Sequence, residues 1–111
     1  EWPSVAEFTE ALKRYAATGL TIELTELDIH CPSDSDEMQK QLAVRYRDLF
    51  TSLLKLQADG TDIDCVTFWG VSDKDSWLTG FRREGSWPLL FDERLQPKPA
   101  FDATIAAACN T

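Results

Sequence analysis

Two carboxylates two residues apart, at the end of an apolar run, are the first feature of this chain that could do chemistry. Leu20-Thr21-Ile22-Glu23-Leu24-Thr25-Glu26-Leu27-Asp28-Ile29 reads as a strand over residues 20–29. Strict alternation would put Leu20, Ile22, Leu24, Glu26 and Asp28 on one face and Thr21, Glu23, Thr25, Leu27 and Ile29 on the other. A carboxylate on a buried face costs several kcal/mol unless it is paired or set at a solvent-reachable mouth. Two readings follow: an acidic site at the mouth of a core, or a strand whose last residues run out into water. The second candidate group is aromatic. Four Trp occur in 111 residues, and indole faces stack on the C–H faces of sugars as readily as they fill cores.

Composition narrows the partners. Acidic residues outnumber basic ones 19 to 11, a net charge of −8, which argues against nucleic acid and anionic membrane surfaces and fits a neutral or cationic ligand. No apolar run approaches the ~18 residues that a membrane span requires, so a soluble protein with no membrane partner is expected. Cys31, Cys65 and Cys109 are odd in number and lack the spacing of a zinc site. Cys65 opens an apolar run and reads as a buried thiol, while a Cys31–Cys109 bridge stays open. The chain starts at Glu1 without an initiator Met or a charged-then-apolar leader. We therefore expect an excerpt of a longer protein, with any secretion signal absent or already removed.

The elements that must position these residues can be read in order. Ser4 and Glu7 form a capping box, and Val5, Phe8, Leu12, Tyr15 and Ala16 make an apolar helical stripe that Gly19 ends. After the strand, His30 to Asp36 reads as a loop with Ser35 or Asp36 as the next cap. Met38, Leu42, Tyr46, Leu49, Phe50, Leu53 and Leu54 predict a helix over about 37–58, stopped near Asp59-Gly60. Ile63 to Val71 is rich in β-branched and aromatic residues and reads as a second strand. Strand, long helix and strand make a βαβ unit with parallel strands. A loop from Ser72 to Gln96 follows, and loops of that length carrying aromatics are usually functional. Pro97-Lys98-Pro99 opens a last helix, Ala100 to about Ala108. The class is α/β with a parallel sheet. Two strands leave both sheet edges open, so the segment is expected to belong to something larger.

Four stretches together then become recognisable. They are Leu24-Thr25-Glu26-Leu27-Asp28; Val66-Thr67-Phe68-Trp69-Gly70-Val71-Ser72-Asp73 with Ser76-Trp77-Leu78; Trp87-Pro88-Leu89-Leu90-Phe91-Asp92; and Gln96-Pro97-Lys98-Pro99-Ala100-Phe101. In this order they resemble the C-terminal portion of family 10 glycoside hydrolases, endo-β-1,4-xylanases, over nearly the whole chain. The resemblance implies a (β/α)8 TIM barrel, of which residues 1–111 would be the C-terminal segment: strands and helices seven and eight with the preceding helix. It implies a secreted enzyme that hydrolyses internal bonds of xylan with retention, using no cofactor and no metal. Its partners would be xylan or xylo-oligosaccharides and the remaining N-terminal part of the barrel.

Residue by residue, the resemblance makes Glu26 the nucleophile. Asp28 would orient a histidine of strand six, which this chain lacks, and His30 lies in the wrong place to replace it. The acid/base glutamate of strand four is absent as well. Asp28 cannot serve instead, because it lies roughly 6.6 Å further along the same strand, whereas a retaining pair faces across the bond at about 5–5.5 Å. Trp69 and Trp77 match tryptophans that wall the sugar subsites, and Trp2 and Trp87 read as structural. Arg82-Arg83 could reach a substrate hydroxyl or an acidic decoration, or be solvated. Glu23 is expected to face away from Glu26, and Asp73 and Asp75 to cap turns. A non-catalytic carbohydrate-binding or structural fragment is the alternative function.

Overall fold

A computed structural model describes residues 2–109. The order is α1 (Val5–Ala16), β1 (Ile22–Leu27), α2 (Asp36–Ala58), β2 (Ile63–Phe68), α3 (Trp77–Phe81) and α4 (Pro99–Cys109), with a single 3-10 turn at Asp73–Asp75. Ser4 and Glu7 close the expected capping box on α1. Ser35 caps α2 by accepting from the Met38 amide. Gly19 and Gly60 take positive φ where α1 and α2 end, a conformation that costs a residue with a Cβ. Pro99 opens α4 as its first residue, where its missing N–H leaves no bond unmade.

β1 and β2 are parallel and are the only strands among the described residues. One side of the pair is covered by α2, whose Leu42, Tyr46, Leu49, Leu53 and Leu56 pack with Leu12, Ile29, Ile63 and Ala100 into one core. Ile22, Leu24, Leu27, Val66 and Phe68 supply the sheet's share, and Phe68 stacks on Phe50 at 5.8 Å. The opposite side carries Glu23, Thr25, Glu26, Cys65 and Thr67, all exposed. α4 packs on α2, and the Thr9 and Ser52 hydroxyls join α1 to α2 at 2.5 Å.

Several expectations are corrected. Both strands are shorter than the apolar runs, so Leu20, Asp28 and Trp69 lie beyond strand ends. Tyr15 lies off the packed face of α1 and is 64% exposed, while Ala16 stays half-buried. Residues 72–96 are not one loop: Ser76 caps the short helix α3, which Trp77 begins. Cys65 is exposed, because it pairs with Glu23 on the open side of the sheet. Cys31 is the buried thiol, and no bridge forms among the described residues, where all three cysteines are free.

Candidate active site

The strict alternation expected for β1 does not survive. The strands register as Leu24 opposite Val66 and Leu27 opposite Phe68, so three steps on β1 match two on β2. That offset is a β-bulge at Thr25-Glu26, and a bulge re-aims a side chain by inserting one unpaired residue. Leu24 and Leu27 both reach the core despite their odd separation, while Thr25 and Glu26 are both exposed. Glu26 is therefore turned off the face that Ile22 and Leu24 bury. Glu23 is exposed on the open side as well, so the expected opposition of Glu23 and Glu26 does not hold. A second offset, in β2 between Ile63 and Cys65, completes the irregular register.

Two hydrogen bonds gather the sequence-predicted residues at the C-terminal end of the strand pair. The Trp69 amide donates to the Leu27 carbonyl at 2.8 Å, so the residue after β2 is tied to the residue after Glu26. The Trp77 indole Nε1 donates to Asp28 Oδ2 at 2.7 Å across 49 positions of sequence. Trp69 and Trp77 are 47% and 50% exposed in this segment. Trp77 also meets the exposed Phe81 ring at 5.0 Å, one helical turn on. Concavities of about 300 and 530 Å³ lie elsewhere, the first lined by Asp34, Asp92 and Lys98, the second by Trp2, Met38 and Arg82. Glu26, Trp69 and Trp77 are exposed, and Asp28 is half-buried.

The remaining tryptophans are structural, as expected. Trp2 Nε1 donates to the His30 carbonyl at 2.8 Å, and its ring packs on the core. The Trp87 amide donates to the Cys31 carbonyl, and its ring lies 3.3 Å from where a Cβ on Gly85 would stand. His30 is committed away from the carboxylates: Nδ1 pairs with Ser86 Oγ at 2.9 Å and Nε2 faces Glu84 at 3.6 Å. Arg82 and Arg83 are exposed, with the Arg82 guanidinium 5.9 Å from the centre of the Phe81 ring.

Sequence reasoning missed the buried ion pair that closes the excursion after β2. Asp73 is no surface cap: its side chain is 1% exposed and its Oδ2 accepts from Lys98 Nζ, itself 6% exposed, at 2.7 Å. Asp73 Oδ1 accepts from the Leu89 amide, and Lys98 Nζ also donates to the Trp87 carbonyl. Burial pushes the Asp73 carboxyl up, and the Lys98 ammonium and the Leu89 amide pull it back without cancelling that push. The pair holds both ends of the 72–98 excursion together, and the Thr79 hydroxyl adds bonds to the Asp73 and Ser86 carbonyls. The available signal was a single Asp and a single Lys, 25 residues apart, flanking an aromatic loop.

Residues 1–107 match the model of glycosyl hydrolase family 10. The chain belongs to that family. It is 43% identical over 109 residues to endo-1,4-beta-xylanase B of Butyrivibrio fibrisolvens, covering 97% of this chain and 17% of the relative. An endo-1,4-beta-xylanase of Geobacillus stearothermophilus is 40% identical over 111 residues, covering 89% of this chain and 33% of its own length. Among solved structures, a family 10 xylanase of Thermobacillus composti superposes with a TM-score of 0.86 at 36% identity, covering 96% of this chain and 38% of that one. A mutant of xylanase A from P. fluorescens subsp. cellulosa, in complex with xylopentaose, superposes with a TM-score of 0.85 at 27% identity, over 96% of this chain and 36% of that one. The chain thus spans between 17% and 38% of these four relatives, and its two-stranded unit is a partial segment of the xylanase fold.

Proposed function

We propose that residues 1–111 are the C-terminal segment of a secreted (β/α)8 catalytic domain, with β1 and β2 as its strands seven and eight, and that this domain hydrolyses internal β-1,4-xylosidic bonds with retention. The observation that carries the reading is the bulge at Thr25-Glu26, which exposes a carboxylate at the C-terminal end of a parallel strand in a family 10 chain. Active sites of such barrels sit at that end.

Glu26 attacks the anomeric carbon and forms a glycosyl-enzyme, and a second carboxyl acts first as acid and then as base. That second group comes from the upstream part of the barrel. Within the segment Asp73 is buried against Lys98 and Glu84 faces His30, which supports an outside source. Asp28 sits beside the nucleophile as an orienting carboxylate. Trp69 and Trp77 form the platform on which xylosyl rings stack. Xylan or xylo-oligosaccharides are the substrates, and the N-terminal part of the barrel is the structural partner that covers the open side of the sheet.

The test is Glu26→Ala in the complete domain with an aryl xyloside. Turnover should fall to background, since no covalent intermediate can form, and azide should restore it with inversion at the anomeric carbon. Wild-type rates in Glu26→Ala, or rescue by azide of Asp28→Ala instead, would overturn the assignment.

A further inference from the structure

The bond between Asp28 and Trp77 joins a carboxylate at the end of β1 to a half-exposed indole. Trp77 is the first residue of the five-residue helix α3, which the Ser76 cap, the buried Leu78 and the Thr79 hydroxyl anchor. Its ring is half exposed, and its described side-chain partners are the Phe81 ring and Asp28. Phe81 is itself 66% exposed. An indole N–H can only donate. At 2.7 Å from a carboxylate oxygen it makes a charge-assisted bond, stronger than a neutral one. Asp28 in turn is held by β1 just before it and by the buried Ile29 just after it. Asp28 is thus placed by a packed stretch of backbone, and the half-exposed indole reaches it.

We infer that Asp28 is a positioning residue for the sugar platform: it pins the Trp77 indole so that the ring's stacking surface is set relative to the strand end carrying Glu26. The inference rests on the proposed glycan-binding role of Trp77. Only Oδ2 is engaged among the described residues, so Oδ1 stays available for an upstream group, and one carboxylate can serve both the platform and the reacting centre.

The experiment uses the full-length protein, with xylopentaose as the probe. In wild type the Trp77 indole N–H resonance, identified by its loss in Trp77→Phe, should lie downfield as a carboxylate-bonded proton and move upfield in Asp28→Asn. Asp28→Asn should weaken xylopentaose binding about fivefold, the scale of a weakened charge-assisted bond. In a Trp77→Phe background, which keeps a ring and lacks the N–H, the same change should weaken binding less than twofold. Equal loss in both backgrounds, or an indole resonance that Asp28→Asn leaves in place, would overturn the inference. If wild type binds no xylopentaose, the proposed function fails, and the resonance still decides whether Asp28 holds Trp77.

Discussion

Replacing Lys98 with Met in the complete domain should be among the most damaging single changes in this segment. The ammonium gives two short bonds, 2.7 Å to Asp73 Oδ2 and 2.9 Å to the Trp87 carbonyl, and the Asp73 carboxylate, 1% exposed, cannot turn to water. Met fills much of the stem's volume, so lost packing is small and the charge dominates. Breaking a buried pair on one side costs about 3–5 kcal/mol, because the surviving charge is left without its partner. Asp73→Asn/Lys98→Met should recover a large part of that loss, since Asn can still accept from the Leu89 amide and carries no charge.

The pH dependence follows from the direction of the Asp73 shift. Burial raises the carboxyl in the fold above its ordinary value of 3.8. A raised acid binds its proton more readily folded than unfolded, so its contribution is fully present below that ordinary value and is lost as pH rises through the folded one. Removing Lys98 takes away the main opposing influence and enlarges the effect. The Lys98→Met deficit should therefore shrink between pH 7 and pH 5. Urea unfolding at the two pH values measures it. A deficit under about 1 kcal/mol at pH 7, or a double variant less stable than Lys98→Met alone, would refute the reasoning that a desolvated charge sets the cost.

Three further outcomes are open to direct measurement. Tyr46 is fully buried, donates to the Pro88 carbonyl at 2.6 Å and is held well above the ordinary phenol value by burial; above pH 10 the unfolded chain alone loses that proton, so stability should fall by about 1.4 kcal/mol per pH unit more in wild type than in Tyr46→Phe. Gly70 has φ +133° and a Cβ there would stand 2.8 Å from Leu89 Cδ1 in the core, so Gly70→Ala should cost about 1–3 kcal/mol in urea unfolding, and a neutral result would mean the Trp69-Gly70 link is slack. Cys65, exposed in this segment, should react with a thiol reagent in the isolated segment and be protected in the complete domain if upstream strands cover that face as proposed; equal reactivity in both would contradict the proposed placement of β1 and β2.

Periodicity, with the caps, glycines and prolines at their ends, was sufficient for α1, α2, α4 and the parallel strand pair, and it missed the five-residue α3, too short to show a period. It failed at Glu26. The bulge is a property of two registers at once, Leu24 with Val66 and Leu27 with Phe68, and neither strand's alternation reveals it. The same limit explains Cys65: an apolar neighbourhood implies burial only if both faces of the strand are covered, and here one is not. Glu26, Asp28, Trp69 and Trp77 were legible as candidates through motif order. The Trp77–Asp28 and Lys98–Asp73 bonds were not, because they join residues 49 and 25 positions apart through side-chain geometry that no local pattern encodes.

The central claim is that Glu26 is the nucleophile. An activated 2-deoxy-2-fluoro xylobioside slows loss of the glycosyl-enzyme and lets it accumulate. Incubated with the complete domain and followed by peptide mass mapping, it should add one glycosyl unit to the peptide containing Glu26, with fragmentation placing the label on that carboxylate. A label on Asp28 or on a residue upstream of this segment, with Glu26 unmodified, would contradict the account.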